Sequence, residues 1–87
     1  MSNNQHATPA QAIERGHYTV LSTMAPQGNW WHTVLYRHIW QESGGPNSLM
    51  VHIVTAIGDE PTTALVDSLL ESAAAKVAAA IEGGTLA

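Results

Sequence analysis

Five histidines stand in a chain with only three other basic residues, Arg15, Arg37 and Lys76. Imidazole ligates metals and moves protons near neutral pH, so these are the first candidates for chemistry. In extended strands His32, His38 and His52 share one face by parity. His32 and His38 lie about 20 Å apart along one strand, at roughly 3.3 Å per residue, and cannot hold one ion. His38 and His52 meet if a hairpin pairs them directly, a register that also sets Trp40 against Met50 and Tyr36 against Val54. This pair is the candidate metal site. Zinc takes three or four protein ligands, so two imidazoles need a second copy of the chain to complete the set. No cofactor is expected from the chain alone.

Other chemistries find less support. There is no cysteine, which removes thiol nucleophiles, thiolate zinc clusters and disulfides, and a cytoplasmic setting is expected. No G-x-S-x-G elbow occurs. Asp59, Glu60, Asp67, Glu71 and Glu82 fall in or beside one helical segment, away from the histidine face, while Glu14 and Glu42 are isolated. No catalytic set assembles, so the chain reads as non-enzymatic. Gly44-Gly45 and Gly83-Gly84 read as a turn and a helix stop, without the strand-to-helix context of a phosphate loop. Charged residues are 11% of the chain and the net charge is -4, which argues against a phosphate-tracking surface. The apolar runs are short and the first seven residues are polar, so neither a membrane span nor a secretory signal is expected.

Eighty-seven residues make one small domain. Residues 1–7 read as a flexible arm, 8–84 as the domain and 85–87 as a tail. Thr8-Pro9-Ala10-Gln11 has the pattern of a capping box with proline at the first helical position, so a two-turn helix is expected there, stopped at Gly16. Period-two segments follow at 17–24, 30–41 and 49–57, divided by Ala25-Pro26-Gln27-Gly28-Asn29 and by a reversal over Ser43-Gly44-Gly45-Pro46-Asn47-Ser48. The segment 60–82 reads as a long alanine-rich helix, with Asp59 or Glu60 as its cap, Pro61 in its first turn and Gly83-Gly84 as its stop. The expected fold class is α+β, in the order α-β-β-β-α, with an antiparallel meander. Opened by Thr8-Pro9-Ala10-Gln11, this order resembles that of double-stranded RNA-binding domains over residues 8–82. The family's phosphate-gripping lysine cluster corresponds here to Gly58-Asp59-Glu60-Pro61-Thr62-Thr63, so the resemblance implies no nucleic-acid partner.

Both strand faces are rich in apolar residues. The helix stripe Leu65, Val66, Leu69, Leu70, Ala73, Val77 and Ile81 suits the odd-numbered aliphatic face. The even-numbered face would then be closed by another chain through Tyr18, Trp30, Val34, Tyr36, Trp40, Met50 and Val54, residue types favoured at interfaces. Exchanging the two faces inverts that list and leaves the fold class intact. The third strand, Leu49 to Ile57, is also an edge without lysine, proline or internal acid to deter pairing, so a dimer through strand edges and one through stacked faces are both open. The expected function is that of a small homodimeric interaction protein acting on an unknown protein partner, as an adaptor, a regulator or a phage or mobile-element accessory protein such as a defence inhibitor. The alternative is a small-ligand or metal-binding module on the aromatic and histidine face at a dimer interface.

Overall fold

The structure, a computed structural model, describes residues 10–86. Four strands, β1 (Ala10–Arg15), β2 (Tyr18–Met24), β3 (Trp30–Glu42) and β4 (Gly45–Gly58), form an antiparallel meander, and α1 (Thr63–Glu82) follows. The expected first helix is absent: Ala10–Arg15 is a strand paired with β2, so the α-β-β-β-α order is corrected to four strands and one helix. The reason is cooperative. A two-turn helix leaves most of its backbone groups unpaired, whereas in register with β2 the same residues join a ladder and set Ile13 beside Val20. The likeness in order to RNA-binding domains goes with that helix. The expected arm at 1–7 and the Thr8-Pro9 cap lie outside the described residues.

Turn chemistry fixes the meander. Gly16 has φ +59 at the first central position of the two-residue loop between β1 and β2, the position that a II′ hairpin reserves for glycine. In the next loop the Gly28 amide bonds the Ala25 carbonyl at 2.9 Å, and Gly28 takes φ +95 after Pro26-Gln27. This is the three-residue loop of a type I turn followed by a left-handed residue.

The register of β3 on β4 shifts between Val34 and Leu35: Val34 faces Val54, but Leu35 faces His52. Ile53 is therefore an extra residue, a bulge, and beyond it the parity of β4 reverses. One sheet layer carries Val20, Ser22, His32, Val34, Tyr36, His38 and Trp40 with Val54, Val51 and Leu49; the other carries Leu21, Trp31, Leu35, Arg37 and Ile39 with Ile57, His52 and Met50.

The helix covers the even-numbered layer of β2 and β3, which corrects its assignment to the odd-numbered face. Val66, Leu69 and Ala73 close with Val20 and Val34 into the core, and Ile13, Tyr18, Ile53, Val54 and Ala56 pack around it. Ser22 and His32, both buried in that layer, need partners that only this side supplies. Thr62 caps the helix, accepting the Leu65 amide on its Oγ1, so Asp59, Glu60 and Pro61 all precede the cap. The expected stop at Gly83-Gly84 stands. Gly84 (φ +79) bonds the Ile81 carbonyl and Thr85 the Ala80 carbonyl at 2.8 Å, the paired bonds of a Schellman ending.

Twenty helical residues span about 30 Å, while the strands of the β3–β4 hairpin run for about 43 Å or more, so the hairpin outreaches its cover. The radius of gyration is 15.6 Å, where a compact chain of this length has about 12 Å. Because a left-handed backbone costs an L-residue about 1–2 kcal/mol, Gly16→Ala should destabilise the protein by about 1 kcal/mol in urea unfolding. A helix stop at this position would tolerate the same change at similar cost, so the second reading is hydrogen exchange, in which the Ala12 to Glu14 amides should follow the ladder of β2.

Candidate functional site

The most enclosed polar group is a cross-strand pair. Ser22 and His32 face each other in the β2–β3 register, and both are buried. Ser22 Oγ lies 2.7 Å from His32 Nδ1, and His32 Nε2 lies 2.8 Å from the Asp59 carbonyl. A carbonyl only accepts, so the proton sits on Nε2, and Nδ1 accepts the Ser22 hydroxyl. Trp30 stacks on the same ring, 6.5 Å between centroids and 4° between planes. Sequence reasoning passed over this pair, although a turn at 25–29 that sets Met24 against Trp30 also sets Ser22 against His32.

The geometry holds rather than reacts. A nucleophilic serine needs access to substrate and a base whose second nitrogen is oriented by a carboxylate or similar group. Here the hydroxyl is fully buried, and Nε2 is tied to the segment that leads into α1. The chain of bonds fastens the start of the helix to the middle of the sheet.

A second run of rings continues along the same layer of β3. Tyr18 and Tyr36 are cross-strand partners with centroids 5.2 Å apart, Tyr36 lies 6.3 Å from His38, and His38 stacks on Trp40 at 5.5 Å. His17 joins from the β1–β2 turn, its Nδ1 donating to the Arg37 carbonyl at 3.0 Å. At the hairpin tip Glu42 accepts from Trp40 Nε1 at 2.8 Å and from Asn47 Nδ2 at 2.6 Å, so the acid that reads as isolated in sequence clamps both strands. Beside it an open cleft of about 460 Å³ is lined by His38, Trp40, Gln41, Leu49, Thr85 and Leu86.

The His38–His52 pairing does not form. The bulge sets His38 against Leu49 and His52 against Leu35, which places the two imidazoles on opposite layers. His52 Nε2 instead meets Thr55 Oγ1 at 2.6 Å. Among the described residues no three histidine, aspartate or glutamate side chains gather to hold a metal ion. The register likewise gives Trp40 to Asn47 and Tyr36 to Val51.

Of the residues expected at an interface, Val34 is wholly buried beneath α1 and Val54 packs on the core. Tyr18, Trp30, Tyr36 and Trp40 are half-buried on the helix side. Met50, carried across by the bulge, stands exposed on the open layer. That layer also exposes Leu21, Trp31, Ile39 and Ile57, with Trp31 at 46% and Ile57 at 58%. Its charged side chains are Glu14, on the layer through its register with Thr19, and Arg37.

Replacing Ser22 by Ala strips His32 Nδ1 of its donor in a buried place, and an orphaned polar group costs about 1–3 kcal/mol. Ser22→Ala should lower stability by that amount in chemical unfolding, and a loss below about 0.5 kcal/mol would remove the pair from the structure's supports. Burial, and then the neighbouring Tyr36, push the Tyr18 phenol above its usual 10.0. The neutral phenol is thus the form the fold favours, and its contribution is complete below the unfolded value and lost as pH rises through the folded one. An alkaline absorbance titration should lose its later-ionising tyrosine in Tyr18→Phe. Comparison of the chain with protein-family models, curated proteins and solved structures finds no match.

Proposed function

We propose that this chain is a non-enzymatic interaction protein that works as a homodimer and lays its open sheet layer on the surface of a partner protein. The observation that carries the reading is the exposure of Leu21, Trp31, Ile39, Met50 and Ile57 together on the layer the helix does not reach. Apolar patches of this kind on small proteins mark contact surfaces. Trp31 is a residue type that supplies binding energy when a partner desolvates it. The Thr19, Thr23, Thr33 and Thr55 positions between the apolar groups keep the layer soluble while free. An adaptor or regulator, including an accessory protein of a phage or mobile element, has this economy of size. No described helix is long and apolar enough to cross a membrane, and the lack of cysteine suits a reducing cytoplasm.

The aromatic cleft favours a second reading, a small-ligand module. Its weakness lies in the polar groups, because the Trp40 indole N–H is already spent on Glu42. A ligand there would quench tryptophan fluorescence, and Trp40→Phe would abolish the quench.

A hydrophobic dye reads the open layer directly. The purified wild type should bind the dye, and Trp31→Thr/Ile57→Thr should cut the bound signal by at least half with its unfolding midpoint within about 3 °C, since surface changes of this kind alter stability little. A wild type that binds no dye, with the double variant unfolding far earlier, would show that the chain covers this layer itself and would end the proposal.

A further inference from the structure

Among the described residues the sheet has two edges, and they differ. β1 is six residues long and carries Glu14 and Arg15, whereas β4 has fourteen residues and no charged side chain between Gly45 and Gly58. Short, charged edges resist pairing with other strands, and long, uncharged ones invite it.

The direction of the β4 backbone groups follows from its neighbour. The Arg37 amide bonds the His17 carbonyl at 2.8 Å, so Arg37 turns its backbone away from β4 and toward β2. Its β4 partner is Met50, which is therefore in the non-bonded type of antiparallel pair and points its own N–H and C=O to the free edge. By alternation Ser48 and His52 do the same. Pro46 agrees, since it occupies the same parity opposite Gln41 and has no N–H to lose. The bulge at Ile53 and Pro46 bound the usable stretch at residues 47–52.

We infer that this edge pairs with β4 of a second copy, antiparallel across a two-fold axis at Met50, to give an eight-stranded sheet with both helices on one side. The inference rests on the homodimer part of the proposed function. A two-fold axis normal to the sheet keeps each residue on its own layer, so opposed residues must have equal parity. Centring on Met50 opposes Met50 to the partner's Met50 and Ser48 to the partner's His52. All of these have outward backbone groups, and the three pairs exchange six hydrogen bonds. Centring on Leu49 instead opposes His52 to Pro46 in two symmetric pairs that each lack an amide, which leaves as many bonds as the Met50 register, so the side chains decide between them. In the favoured register Leu49, exposed at 57%, gains Val51 of the partner as neighbour. His52 has spent Nε2 on Thr55, leaving Nδ1 for the serine opposite, the chemistry that Ser22 and His32 already use within the chain. A foreign strand would also gain backbone bonds, but only a second copy guarantees these side-chain pairs and an uncharged neighbour.

A cysteine-free chain makes the register easy to read by cross-linking. Opposed Cα atoms in a bonded pair are about 5.5 Å apart, within the span of a disulfide. Oxidised Met50→Cys should run as a covalent dimer. An equimolar mixture of Leu49→Cys and Val51→Cys should cross-link between the two variants and not within either. In a face-stacked dimer that mixture stays uncoupled, because both side chains point to the helix side. On the unmodified protein, the Ser48, Met50 and His52 amides should exchange at least tenfold more slowly at high than at low concentration. A wild type of dimer mass with neither the mixed cross-link nor the protected amides would overturn the edge pairing and leave the homodimer standing. A monomer mass by light scattering at every concentration would end both, while the dye result on the open layer is judged separately.

Discussion

A single helix can dry only one side of a sheet, and this constraint organises the whole molecule. Val66, Leu69 and Ala73 meet Val20 and Val34, and among the described residues the buried apolar set amounts to these and Val77. A core so small leaves little surplus over the entropy of ordering the chain. The fastening of its parts therefore matters more than usual. His32 supplies one fastening, joining a β2 hydroxyl to the carbonyl that precedes the helix, and the Gly83-Gly84 ending supplies another by turning Thr85 and Leu86 back toward the hairpin.

The bulge at Ile53 decides what each layer contains. Without it His52 and Met50 would lie on the helix side with His38 and Trp40; with it they move to the open layer, and Leu49 and Val51 take their place. The bulge also gives the core both Ile53 and Val54 from consecutive positions, which a regular strand cannot do. One inserted residue thus thickens the core at the helix and changes the composition of the hairpin arm beyond it.

These relations explain which parts were readable in the sequence. Turn residues act locally, so the loops at Gly28 and Gly44 and the stop at Gly83-Gly84 announce themselves, and the long helix follows from its alanines and its apolar stripe. The segment Ala10–Arg15 satisfies local rules for a helix start and is overruled by pairing, a nonlocal gain that composition does not reveal. A bulge has no dependable signature, and setting His38 against His52 requires both a regular register and one two residues away from that of Val34 on Val54. Ser22 and His32 were within reach of the same arithmetic, since their pairing follows from the next turn alone. The exchange of faces follows from matching the aliphatic helix stripe to the more aliphatic odd-numbered face, whereas burial beneath the helix satisfies the Ser22–His32 pair of the even-numbered one.

Charge is distributed according to the same division of layers. The acids Asp67 and Glu71 and the base Lys76 stand exposed on the helix, the part of the chain with solvent on its outer side. The sheet's open layer holds Glu14 near one edge and Arg37 toward the hairpin, with threonines and large apolar groups between. Three of the seven acids, Asp67, Glu71 and Glu82, thus lie on the helix, on the opposite side of the sheet from the open layer. Apart from Glu14 and Arg37, whose charges are opposite, the polar groups of this layer are the His52 imidazole, the Gln41 amide and hydroxyls of Thr19, Thr23, Thr33, Ser48 and Thr55, which hydrogen-bond in either direction. In the function proposed above, such a surface would discriminate through shape and apolar contact rather than charge.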